Sequence, residues 1–233
     1  AEKVEGPVNQ VTLTDRYTEE AVKFIRKNAE KPFFLYMPHT MPHVPLFVSD
    51  ERYKADPKLA YKLTIEHIDW SVGELLKTLT DLDLENNTIF VYSSDNGPSL
   101  SKMHHGGSAF PLRNGKGTTW DGGMRVPGIV RWPGHVPSGV VSDEVVSTID
   151  LLPTIAEITG AKLPAHPIDG LSILETLKDP KKASPHRDAG FFYYRKGKME
   201  AVRMGKWKLR LGKLYDLDAD IGETKDVAAE HPE

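Results

Sequence analysis

The chain of 233 residues contains no cysteine. That excludes structural disulfides, thiol nucleophiles and zinc–thiolate centres, while leaving the compartment open. No apolar run approaches the roughly 20 residues that a membrane-spanning helix requires, so no membrane partner is expected. Charge of neither sign dominates: 30 Lys and Arg face 33 Asp and Glu, for a net charge of −3. A chain so balanced projects no basic field toward nucleic acid. The opening Ala1-Glu2-Lys3-Val4-Glu5-Gly6 carries no signal-peptide pattern. There is no internal repeat and no low-complexity segment. What is present is an ordinary globular balance, 39% hydrophobic and 27% charged, enough for one large domain or a domain with a small extension. The 9 histidines and 17 prolines fall largely in loops between apolar runs.

Along the chain, Thr14 reads as an N-cap for an amphipathic helix over 15–29, with Tyr17, Ala21, Phe24 and Ile25 on one face. The continuous apolar run 32–37 predicts a strand buried on both faces. A Pro/His-rich loop, 38–45, follows it. A long helix is expected over 58–82, its stripe made by Leu59, Leu63, Val72, Leu75, Leu76 and Leu79. Strands are expected over 88–93 and 128–132 and a helix over 149–159, with Pro153 in its first turns. Apolar strands alternating with helices predict a mostly parallel sheet sandwiched by helices over 1–183. After Pro185 the texture changes to short runs separated by Gly-Lys turns, which predicts a small antiparallel sheet within 184–233.

Three polar clusters stand where ligand sites form, beyond the carboxyl ends of strands. His39-Thr40-Met41-Pro42-His43 follows the first predicted strand, and Asp95-Asn96-Gly97 follows the second. An adjacent carboxylate and amide offer hard oxygen ligands to Ca²⁺ or Mg²⁺, although the same tripeptide also reads as an Asx-turn without metal. The third cluster is Gly115-Lys116-Gly117-Thr118-Thr119-Trp120-Asp121-Gly122-Gly123-Met124-Arg125. A lysine between glycines meets an anion with little steric hindrance, or is simply a solvated turn. The phosphate-loop spacing is absent.

The order of these clusters, continued by Val126-Pro127-Gly128-Ile129, Asp150-Leu151-Leu152-Pro153-Thr154, Asp169-Gly170-Leu171-Ser172, Gly205-Lys206-Trp207-Lys208 and Gly222-Glu223, resembles the arylsulfatase type of the alkaline-phosphatase-like superfamily. The resemblance covers almost the whole chain. It implies an alkaline-phosphatase-like α/β fold and hydrolysis of sulfate esters on a sulfated small molecule or glycan. It also implies one calcium ion, held in part by Asp95 and Asn96. By the same resemblance His43 and Lys116 contact the sulfate and serve catalysis. His104 and His105 are candidates for the organic portion of the substrate, or exposed loop histidines without a role. His39 reads as a turn cap or as packing, and Asp121 with Arg125 as an ion pair ordering the lysine loop.

The family's formylglycine nucleophile, made from Cys or Ser in a Cys/Ser-x-Pro/Ala-x-Arg motif, has no counterpart here. Ser184-Pro185-His186-Arg187 has the wrong spacing. The expectation is therefore a C-terminal portion whose nucleophile and remaining metal ligands lie in a missing N-terminal half, and which is inactive alone. The alternatives are a phosphodiesterase or phosphatase of the same superfamily, and a non-catalytic binding or structural module. The resemblance is compatible with a periplasmic, secreted or lysosomal location.

Overall fold

In the computed structural model, which describes residues 5–232, the chain gathers into two compact units. The first runs to Thr88 and includes Ser99–Gly107; the second comprises Ile89–Pro98 and everything from Ser108 onward.

Two helices form the first unit, α1 (Leu13–Lys27) and α2 (Ala60–Asp81). Thr14, Thr18, Ala21 and Ile25 recur at helical spacing and are the buried face of α1. Leu63, Ile68, Leu75 and Leu79 line α2 together with small polar residues. Those small residues let the helices approach closely, so that the Thr18 and Ser71 hydroxyls share a hydrogen bond of 2.6 Å. Asp56 caps the turn that leads into α2 by accepting from the Lys58 amide, with Pro57 in the first position.

The run 32–37 departs from expectation. It forms no strand and has no ladder partner among the described residues, and Phe34 and Tyr36 are 74% and 76% exposed. With Tyr17 and Phe24, its Leu35, Tyr36 and Met37 line an open groove of about 500 Å³. Apolar composition records a demand for burial. A strand exists only where a neighbouring backbone takes up its N–H and C=O groups.

The second unit begins with β1 (Phe90–Ser93), followed by the short helix α3 (Asp121–Met124) and β2 (Gly128–Arg131). Both strands fall where expected, but they pair antiparallel, Phe90 opposite Arg131 and Ser93 opposite Gly128. No parallel pairing occurs among the described residues. An apolar run reports how buried a strand wants to be, not the direction of its neighbour. Beyond lie α4 (Leu151–Thr159), α5 (Leu174–Lys178) and α6 (His186–Ala189).

The antiparallel meander is as expected: β3 (Phe191–Arg195), β4 (Lys198–Met204), β5 (Trp207–Arg210) and β6 (Lys213–Asp216) pair in chain order. Lys196 and Gly197 both have positive φ, 50° and 73°, the signature of the turn that matches strand twist in a two-residue hairpin. One face of this sheet buries Tyr193, Ala201, Lys208 and Tyr215. The other leaves Phe192 and Leu209 half exposed.

Candidate active site

The chain leaves β1 into Ser94-Asp95-Asn96-Gly97. Asp95 is exposed, and its carboxylate has no partner among the described residues. Asn96 donates from Nδ2 to the Gly97 carbonyl at 3.2 Å, which leaves its Oδ1 open as a second oxygen donor. The loop is locked from behind. The Gly97 amide donates to the Gly123 carbonyl at 3.1 Å, and a Cβ on Gly97 would stand 2.0 Å from the Gly122 carbonyl oxygen. Gly122 is equally tight, since a Cβ there would lie 2.2 Å from the Asn114 oxygen.

The lysine loop is tied to the same place, because the Lys116 amide donates to the Pro98 carbonyl at 2.8 Å. The Lys116 side chain is exposed, and its ammonium has no partner among the described residues. Two loops some twenty residues apart in sequence are thus held backbone to backbone, with an open oxygen pair on one and an open ammonium on the other. Because the contacts involve backbone that cannot swing aside, Gly122→Ala is expected to destabilise the protein by about 1–3 kcal/mol. A denaturant midpoint indistinguishable from wild type would refute that reading.

Behind the loops lies a buried charge cluster. Asp121 opens α3 with 0% exposure. Its Oδ1 accepts from Lys208 Nζ at 2.6 Å, and its amide donates to Glu223 Oε2 at 2.8 Å. Lys208 also pairs with Glu223 Oε1 at 2.7 Å, and both residues are 0% exposed. Burial pushes the Glu223 carboxyl above its ordinary value, against the opposing pull of Lys208. Arg125, expected as the partner of Asp121, lies 3.8 Å from it; the closer cation is Lys208. Trp120 is held between two guanidiniums, Arg113 at 3.8 Å and Arg210 at 4.0 Å from its ring centroid. Lys208 and Glu223 had no predicted role, although both stand in motifs that carried the resemblance. The sequence signal was that membership: Lys208 stands between Trp207 and Leu209, and Glu223 follows Gly222 in a polar segment.

The remaining candidates belong to the first unit. His43 is exposed, with Nδ1 2.8 Å from the Val44 carbonyl. His104 and His105 are exposed in the 3₁₀ segment Leu100–His105. His39 is packing rather than a cap: its ring meets Tyr17 edge-on at 6.1 Å, its Nδ1 is buried with no partner among the described residues, and burial lowers its pKa. Among the described residues no three carboxylate or imidazole groups are gathered so as to hold a metal ion. Asp95 and Asn96 suit a hard cation in donor type, but supply two oxygens toward the six to eight that Ca²⁺ takes.

The chain is similar to known proteins in sequence and in fold. A family model described as Sulfatase matches residues 3–161, and one described as N-sulphoglucosamine sulphohydrolase, C-terminal, matches residues 115–232. The N-acetylgalactosamine-6-sulfatase of Mus musculus is 38% identical over 215 residues, which cover 89% of this chain and 41% of that protein. The structure of Ps i-CgsB in complex with k-i-k-neocarrahexaose matches with a TM-score of 0.83 at 36% identity, covering 94% of this chain and 51% of that one. PsFucS1 sulfatase from Pseudoalteromonas sp. matches with a TM-score of 0.88 at 25% identity, over 96% of this chain and 51% of its own. These neighbours define an alkaline-phosphatase-like fold. The chain belongs to the sulfatase family. It spans 35–41% of the length of the curated relatives it matches.

Proposed function

We propose that this chain is the C-terminal part of a calcium-dependent sulfatase that hydrolyses sulfate esters, with a sulfated glycan as the favoured substrate class. The observation that carries the reading is the backbone link between the two loops, Lys116 to Pro98 at 2.8 Å. It holds in one compact unit an ammonium and a carboxylate without partners among the described residues, beside the open Oδ1 of Asn96. In this reading residues 1–183 belong to the catalytic α/β domain and 184–233 form its antiparallel subdomain.

Asp95 and Asn96 would hold calcium, which when bound supplies positive charge against the sulfuryl oxygens. Lys116 places its ammonium against the same oxygens. By the family resemblance His43 would contact the sulfate and hold or release a proton at an imidazole nitrogen. His104 and His105 would serve the organic portion of the substrate. No residue here supplies the formylglycine nucleophile, which in this reading is contributed by the N-terminal half. The glycan preference is supported by relatives named for N-acetylgalactosamine-6-sulfate chemistry or solved with a carrahexaose.

The test is to express residues 1–233 alone, beside the same chain extended upstream to its nucleophile motif, and to assay 4-nitrophenyl sulfate with calcium or with chelator. The short chain should be inactive, and the extended enzyme should turn over and lose activity on chelation. Turnover by the short chain that vanishes with Lys116→Ala would overturn the missing nucleophile. Activity indifferent to chelation would overturn calcium. Preference of the extended enzyme for bis-4-nitrophenyl phosphate would favour the phosphodiesterase alternative.

A further inference from the structure

We infer that Lys208, through its paired contacts with Asp121 and Glu223, is a positioning residue that sets the geometry of the Asp95-Asn96 and Lys116 loops. Only the kinetic consequence of this rests on the sulfatase reading. Three ionisable groups with 0% exposure are a weak device for stability, since well-packed apolar residues of similar volume commonly serve as well or better. What distinguishes this cluster is where its bonds end.

Glu223 takes the backbone amide of Asp121, and Lys208 takes the Asp121 carboxylate. The Arg113 guanidinium donates to the Glu223 carbonyl, and the Arg113 carbonyl accepts from the Gly122 amide at 2.9 Å. Residues 113 and 121–122, near the two ends of the loop that carries Lys116, are therefore tied to each other and to Glu223, and the side chains of Asp121 and Glu223 meet at one ammonium. From there the chain of contacts is short and stiff. Gly123 accepts from the Gly97 amide, and Gly97 is the covalent neighbour of Asn96. Each glycine along the way packs more tightly than a Cβ would allow.

The charge count shows what the lysine offsets. Arg125 and Arg203 stand 3.8 Å and 3.9 Å from Asp121 Oδ2, beyond hydrogen-bond reach. Lys208 is the one cation in contact with both carboxylates among the described residues. Without it, two acidic side chains face each other in a dry site, and separating them moves the start of α3. The displacement would pass through Gly123 to Gly97 and, by way of Pro98, to the Lys116 amide.

The experiment uses the upstream-extended protein with Lys208→Met, Lys208→Arg and Glu223→Gln. The last keeps shape and an acceptor for the Asp121 amide. Hydrogen exchange is read at the Gly97 and Lys116 amides and across the chain, with kcat and KM for 4-nitrophenyl sulfate. In Lys208→Met, exchange at those two amides is expected to rise at least about tenfold above any global change. The kcat should fall at least about tenfold while KM changes less than about threefold, and Lys208→Arg should restore part of both. Glu223→Gln, expected to fold, should accelerate the same two amides several-fold and leave α4 and α5 unchanged. Unchanged exchange at Gly97 and Lys116 in Glu223→Gln would overturn the proposal, as would uniform loosening of the whole unit in that variant. A wild-type protein without sulfatase activity would remove the functional reading and leave the exchange test intact.

Discussion

Lys116→Ala in the upstream-extended enzyme is expected to lower kcat for 4-nitrophenyl sulfate by about 10²–10³-fold, the loss typical of removing one preorganised donor to a developing anion. The side chain invites this role because nothing else in the described protein uses it. It is exposed, it has no ion-pair partner, and its backbone is held to Pro98 rather than free to wander. A lysine kept for solvation would not need a loop anchored through the lysine's own amide. Since the ammonium would act on charge that grows toward the transition state, the loss should fall on kcat more than on KM. Lys116→Arg should recover little, because a planar fork does not replace a compact point charge at the tip of a tight loop. A kcat within threefold of wild type in Lys116→Ala would remove Lys116 from the site.

Asp150→Ala is expected to cost about 3–5 kcal/mol of stability, because it strands several buried donors at once. Asp150 is 0% exposed. Its two oxygens take the Ser147 amide at 2.7 Å, the Leu171 amide at 2.9 Å and His186 Nε2 at 2.9 Å. A single carboxylate thereby caps the turn into α4, pins the Asp169-Gly170-Leu171 segment and holds α6 next to the start of β3. A water molecule in place of the carboxylate could satisfy some of these groups, so the cost should sit below the sum of three lost bonds. Chemical denaturation followed by tryptophan fluorescence measures it. A loss under about 1 kcal/mol would show that the segment is held by packing alone.

Much of the local structure around the candidate residues was legible in the sequence. Asp95 and Asn96 do follow a strand, Lys116 does lie in a glycine loop fixed beside them, and the hairpins of the last fifty residues fall where their Gly-Lys turns announced them. These features are local. A turn that needs positive φ, a short apolar run and a glycine that tolerates no side chain all leave their mark on neighbouring residues. Asp150 also belonged to a recognised motif, but nothing nearby in sequence named His186 as its partner.

The limits lie where distant segments choose one another. Alternation along Trp207-Lys208-Leu209-Arg210 suggests that the apolar pair points inward, yet Leu209 is 46% exposed and Lys208 is 0% exposed. The inward charge makes sense only once Asp121, 87 residues earlier, and Glu223 are brought to it. The run 32–37 and the direction in which β1 pairs with β2 escaped for the same reason. Sequence by itself determined the family, the turns and the chemical groups offered at the loop tips, because each is written in adjacent residues. Only the tertiary structure decided which face of β5 is buried, which cation Asp121 answers to and which strand lies beside β1. Those outcomes depend on the cost of leaving a charge or a backbone group unpaired, and that cost is set by whatever the rest of the chain places against it.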